Sequence, residues 1–254
     1  MSGLRAGASG SGLRAGAGGS GVSSFGLLTE IGWLHAYWAE GPEFQALGKA
    51  DAATVTTWPD EIGTLNLTNA SSDITYRAAS SNLGNQPALR SPGTNSTASK
   101  LQTANETATN ATWSIVVVAQ DGGSATTNNF IVDGPATGTR HYIQGSTDGW
   151  HIANATDRGP APYATYSLAN RHLHVVRYSS SAARWEIDGA TIVSTGSSGT
   201  PSFAGLTAFA RFTGGVGVAQ DIAFIGIYVG DIFAHAKFAE LESFLATKYG
   251  ITLS

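Results

Sequence analysis

The run Ser114-Ile115-Val116-Val117-Val118-Ala119 constrains this chain more than any other segment. Four consecutive β-branched residues suit an extended backbone, and the nearly unbroken apolar run marks a buried strand. Shorter candidates surround it. Phe130-Ile131-Val132 ends at Asp133-Gly134, and Arg140 to Ile143 and Trp150 to Ile152 follow. His172 to Tyr178 alternates, with His172, His174 and Val176 on one face and Leu173, Val175 and Arg177 on the other. Arg184 to Ile187 runs into Asp188-Gly189 and then Thr191-Ile192-Val193, a hairpin signal with the turn residues that tolerate positive φ. Leu206 to Phe212 alternates again, and Asp221 to Val229 is the last long strand. Gly26 to Tyr37 reads as either a short helix or a lead-in strand. From Ala234 to Lys248 the residues Phe238, Leu241, Leu245 and Tyr249 recur at helical spacing, and Gly250 stands where a left-handed C-cap is wanted.

Many short strands, one closing helix and no intervening helical patterns predict an all-β chain: a two-sheet antiparallel jelly-roll sandwich. A parallel βαβ fold is disfavoured. The 254 residues fit a single sandwich, and 42% hydrophobic content is enough for its core. Charged residues make up only 13%, against an ordinary ~25%, so Ser, Thr, Asn and Gly must build the polar surface. The net charge of −4 and the lack of any Lys/Arg cluster argue against nucleic acid as a partner. No apolar run approaches the ~18 residues of a membrane span, and no apolar stretch follows Arg5 or Arg14 to make a secretory signal. With no cysteine there is neither a disulfide framework nor a thiolate metal site. The sequons at Asn66, Asn69, Asn95, Asn105, Asn110 and Asn154 are what chance supplies in a chain this rich in Asn, Ser and Thr.

Residues 1–24 form a separate Gly/Ala/Ser-rich arm ahead of the sandwich at 25–254. In it Ser2 to Ala8 recurs as Ser11 to Ala17. Such a segment buries too little apolar surface to offset its own ordering entropy, so it reads as an extended arm that gains structure on a partner. Each repeat offers one apolar anchor and one cation, Leu4 with Arg5 and Leu13 with Arg14. These four residues are the candidate docking elements. A homo-oligomer formed by arm exchange is expected.

Three segments together carry a resemblance. They are Val55-Thr56-Thr57-Trp58-Pro59-Asp60 with Gly63, then Tyr76-Arg77 with Asn85 to Arg90, and then Ile222 to Tyr228 leading to Leu241 and Phe244 to Ile251. In this order they resemble the laminin-G-like jelly rolls of the concanavalin A-like superfamily, as found in virion proteins of tailed bacteriophages, notably minor tail proteins. The resemblance covers about residues 33–254. It implies a non-enzymatic structural protein on the phage particle surface, tail or capsid, with other virion proteins as partners. Capsid decoration and carbohydrate-binding adhesion are the alternatives. Where the family often has Phe-Asp-Gly this chain has Ser91-Pro92-Gly93, and Phe224 stands where an acidic residue is common. No ion or ligand site is therefore carried over, and no cofactor is implied.

The superfamily includes glycosidases, which resemble a Glu-x-Asp-x-Glu strand, and Glu186 and Asp188 are expected on one strand face. The second Glu position is Ala190, so the acid partner of a retaining pair is missing. Gly16 to Gly21 matches a dinucleotide Gly pattern, but no strand precedes it. His172 and His174 share a face without a third ligand nearby in sequence, and Asp60, Asp73, Asp121, Asp133, Asp148 and Asp157 lie in predicted loops without a calcium-type spacing. Trp150, Tyr163, Tyr166 and Trp185 lie near predicted loops, where aromatic faces can stack on sugar rings.

Overall fold

The computed structural model describes residues 24–254 apart from 94–96, 108–110, 123–128, 137–139, 155, 194–196, 198–202 and 215–218. The arm residues Leu4, Arg5, Leu13 and Arg14 lie outside the described residues. Two antiparallel sheets of eight strands each face one another. Sheet A runs, in spatial order, Ala190–Val193 (β14), Arg184–Ile187 (β13), Arg171–Tyr178 (β12), Trp113–Asp121 (β7), Ala219–Val229 (β16), Gln86–Pro92 (β5) and Thr75–Ser80 (β4), and His35–Trp38 (β1) also pairs with β16. Sheet B runs Thr156–Ala161 (β11), Trp150–Asn154 (β10), His141–Gly145 (β9), Asn129–Asp133 (β8), Thr207–Ala208 (β15), Leu101–Gln102 (β6), Leu67–Thr68 (β3) and Thr57–Trp58 (β2). This is the all-β, two-sheet antiparallel sandwich that the strand pattern predicts.

All nine residues of β7 are buried, which accounts for its unbroken apolar run. Ile115, Val117 and Ala119 point between the sheets, together with Trp58, Trp113, Ile143, Trp185 and Phe209. Val116 and Val118 point the other way, into a second core closed by helices α1 (Ser24–Glu30) and α3 (Phe238–Tyr249). The molecule thus has three layers: sheet B, sheet A and a helical cover. Phe224 of β16 packs beneath that cover, its ring 5.7 Å from Trp33 in an edge-on contact. Gly226 is needed beside it, because a Cβ there would stand 2.7 Å from the Trp33 ring. An acidic residue in place of Phe224 would be buried here without a partner, which explains the apolar side chain.

The hairpin at Asp188-Gly189 forms as predicted, with φ of 53° and 80°. Gly250 caps α3 in the left-handed region at φ 62°. Other expectations shift. Gly26 to Tyr37 holds both a helix and a strand, α1 and then β1. The closing helix starts at Phe238, after a separate 3-10 turn at Ile232–Ala234 in which Asp231 accepts from the Phe233 amide. Of the alternating stretch Leu206 to Phe212 only Thr207–Ala208 pairs as strand, and positive φ at Phe209 (74°) ends the run.

Burial of sheet A forces its polar groups to find partners. Asp221, fully buried on β16, receives Arg90 of β5 in a two-point contact of 2.6 and 2.7 Å and the Ser80 hydroxyl of β4. That cluster joins three strands. Asp221→Ala would strand the partly buried guanidinium and lower stability by about 3–5 kcal/mol, read as the shift of a urea unfolding curve.

Candidate functional site

One depression among the described residues lies between the segment after β1 and the loop 59–66. Helix α2 (Pro42–Ala46) follows β1 and leans on the loop 59–66. Gly41 makes this possible, since a Cβ there would overlap the Glu61 carboxyl. Both Glu61 oxygens accept backbone amides of α2, from Glu43 (2.9 Å) and Phe44 (3.0 Å). Burial, opposed by those amides but reinforced by the charges of Glu43 and Asp60, raises the Glu61 pKa. The result is a groove of about 610 Å³ bordered by Glu43, Leu47, Pro59, Asp60, Glu61 and Ile62. Leu47 and Ile62 are 43% and 40% exposed, two of three large apolar side chains so displayed among the described residues. The groove lining holds three carboxylates and no Lys or Arg.

Behind the groove His35 is buried between two carboxylates. Its Nδ1 lies 2.7 Å from Asp60 and its Nε2 3.2 Å from Glu106. Both partners are acceptors, so the imidazolium form donates to each. Burial opposes that charge, but the hydrogen bond and charge of Asp60, aided by Glu106, outweigh it and raise the His35 pKa. For Asp60 burial is likewise overcome, by His35 and the backbone amides of Ala36 and Gly63, and its pKa falls. Because Glu106 belongs to the segment after β6, this ion pair ties sheet A to sheet B. The sequence places Asp60 in a predicted loop and gives no sign of the pairing, which joins His35 to residues 25 and 71 positions away.

The second depression, about 460 Å³, is polar and lined by Asn82, Thr165, Asn170, Arg171, Asp188 and Thr252 among others. Arg171 donates through Nε to the Gly250 carbonyl (3.0 Å). Asp188 is committed below it, to His172 Nδ1 (2.6 Å) and the Leu173 amide (2.8 Å), while His172 Nε2 bonds the Ser167 carbonyl (2.8 Å). His172 and His174 do share a face, with ring centroids 6.0 Å apart. His174 is fully buried beside Trp150 and Trp185, its ring nitrogens without hydrogen-bond partners among the described residues. Burial first, and the charge of His172 second, hold its pKa well below the usual value.

Several sequence expectations are corrected here. Trp150 and Trp185 are core residues at 0% exposure, and Trp150 donates its indole N–H to the Tyr166 carbonyl, so neither offers a face to a sugar. Tyr163 and Tyr166 are half-buried. Glu186 and Asp188 do not share a face. Glu186 stands opposite Val175, on the helix side, held by Arg184 and Thr191, whereas the positive φ of Asp188 carries its carboxyl to His172 at the inter-sheet side. Asp121 and Asp133 are buried strand ends, not loop residues, and Asp133 pairs with Arg140 (3.1 Å). Among the described residues no group of three His, Asp or Glu is placed to hold a metal, and no helix is long and apolar enough to cross a membrane.

No protein-family model matches the chain, and no curated protein matches it in sequence. Solved structures do. A Trypanosoma rangeli sialidase in complex with 2,3-difluorosialic acid superimposes with a TM-score of 0.54 at 10% identity, over 88% of this chain and 34% of the sialidase. An arabinofuranosidase complexed with arabinofuranosyl-alpha-1,2-xylobiose gives 0.52 at 13% identity, over 77% of this chain and 51% of that one. The chain therefore spans only about a third to a half of these proteins. At such identity the likeness is one of fold, a β-sandwich shared with carbohydrate-active enzymes.

The two histidines bias stability in opposite directions with pH. His35, with a raised pKa, contributes stability that is complete below its ordinary value of 6.5 and is lost as pH rises through the raised value. Asp60 contributes above its ordinary 3.8 and loses this as pH falls through its depressed value. His174, kept neutral, costs stability increasingly below its ordinary 6.5, where the unfolded chain takes up the proton. Urea midpoints measured across pH should show His35→Gln flattening the alkaline decline. His174→Leu should flatten the decline below neutrality and raise stability by about 1 kcal/mol by removing an unsatisfied polar group.

Proposed function

We propose that the chain is a non-enzymatic structural protein of a tailed-phage virion, of the minor tail type, anchored through its N-terminal arm with the sandwich facing outward. One observation carries this reading: the three segments behind the resemblance meet as parts of the frame, not as a reactive centre. Asp60 of the first segment is locked to His35, and Arg90 of the second grips Asp221 beside the third. The third segment's Phe224, Leu241, Leu245 and Tyr249 form the core under the helical cover. Four of the five buried carboxylates among the described residues, Asp60, Asp133, Glu186 and Asp221, are paired with a cationic side chain, which suits structure better than acid–base chemistry. Particles of the encoding phage should contain the chain in a fixed ratio to tail or capsid subunits, measured by quantitative mass spectrometry. Gold-labelled antibodies would then distinguish a tail position from capsid decoration. Its absence from purified particles would overturn the reading, as would polysaccharide hydrolysis abolished by Glu186→Gln.

A second reading, glycan-binding adhesion, is favoured by the polar depression at Arg171. Its amides, hydroxyls and guanidinium offer the hydrogen-bonding chemistry that sugar hydroxyls require. Binding on a glycan array that is lost in both Arg171→Ala and Asn82→Ala would support it. The buried Trp150 is not a useful probe.

A further inference from the structure

We propose that the groove between α2 and the loop 59–66 receives the Leu-Arg repeat of the N-terminal arm of a second copy of this chain. The inference rests on the arm-anchored reading above and names the surface the arm would engage.

The groove shows two properties at once. Leu47 and Ile62 display apolar side chains to solvent across it, which costs free energy until something covers them. Glu43, Asp60 and Glu61 give its walls a negative field with no cation lining them among the described residues. His35 compensates Asp60 from behind, whereas exposed Glu43 and half-buried Glu61, whose oxygens accept the α2 amides, have no cationic side chain beside them among the described residues. The complement is therefore a short segment with one apolar side chain next to one cation.

The arm carries that pair twice. Leu4-Arg5 and Leu13-Arg14 lie in a stretch that holds two of the fourteen Lys and Arg residues and none of the eighteen Asp and Glu. The flanking Gly, Ala and Ser residues let an extended backbone lie close to a surface. Nine residues in extended form span about 30 Å, too far for both repeats to share one groove. Each repeat is thus a separate plug, and either of the two can fill the groove of the second copy.

The test uses the full-length chain in size-exclusion chromatography with light scattering. The wild type should run as a multiple of 26.1 kDa. The surface variant Leu47→Asp/Ile62→Asp should fall to monomer, and so should Arg5→Glu/Arg14→Glu. Removing one Arg alone should weaken assembly less than removing both. Mixing the two monomeric double variants should restore a one-to-one heterodimer, because one contributes an intact arm and the other an intact groove. Circular dichroism of each variant checks that it is folded. A monomeric wild type, or a groove variant that assembles normally, would overturn the proposal. In the latter case, monomerisation by the arm variant alone would mean that the arm docks elsewhere. Neither result bears on whether the chain is present in particles, which decides the virion reading separately.

Discussion

Sheet A is dry on both faces at its centre, along β7 and β16, and most of the architecture answers to that condition. A strand such as β7, buried along its whole length, cannot serve a two-layer sandwich whose outer faces are wetted. Helices α1 and α3 close the outer side, and Trp33 lies flat enough on the sheet to exclude a Cβ at position 226. The same dryness fixes the chemistry of the interior. Asp221 requires Arg90 and Ser80, and Asp133 requires Arg140, whose guanidinium also lies over the rings of Phe130 and Tyr142 at 5.3 and 5.0 Å. Where no partner is present, as at His174, the ring stays neutral.

What could be read from the residues was what is decided locally. The Asp188-Gly189 turn, the Gly250 cap and the strand at 114–119 each depend on a few neighbours, and each forms where the pattern puts it. The helical cover was only half legible: the spacing of Phe238, Leu241 and Leu245 showed a helix, but not that it seals the far side of the sheet. Long-range facts were hidden. Nothing in Trp58-Pro59-Asp60 shows that His35 will meet Asp60 or that Glu106 will complete the pair. Trp150 and Trp185 looked like loop aromatics because their flanking turns were visible while the sheet above them was not. Beyond the paired Thr207–Ala208, alternation from Leu206 to Phe212 is burial without pairing, since Phe209 and Ala210 fill the core from an irregular backbone.

The candidate surfaces were less legible still. Leu47 and Ile62 are ordinary apolar residues in the sequence, and only the fold leaves them displayed beside a carboxylate wall. Glu61 carries no sequence signal, yet it holds α2 through two backbone amides and so shapes the groove. Local charge placement, rather than any catalytic motif, distinguishes this surface from the rest of a weakly charged chain.

Strand β16 has one further consequence, for the order in which the chain assembles. It bonds to β7 along one edge and to β5 and then β1 along the other, with a bulge between Ile222 and Phe224 where the pairing changes. Its partners all precede it, and His35 waits for Ile227 near the opposite end of the polypeptide. On the ribosome, the first half of sheet A therefore emerges long before the strand that joins it. Until then β1 and β5 expose open edges and apolar faces, a state from which edge-to-edge association between nascent chains competes with folding.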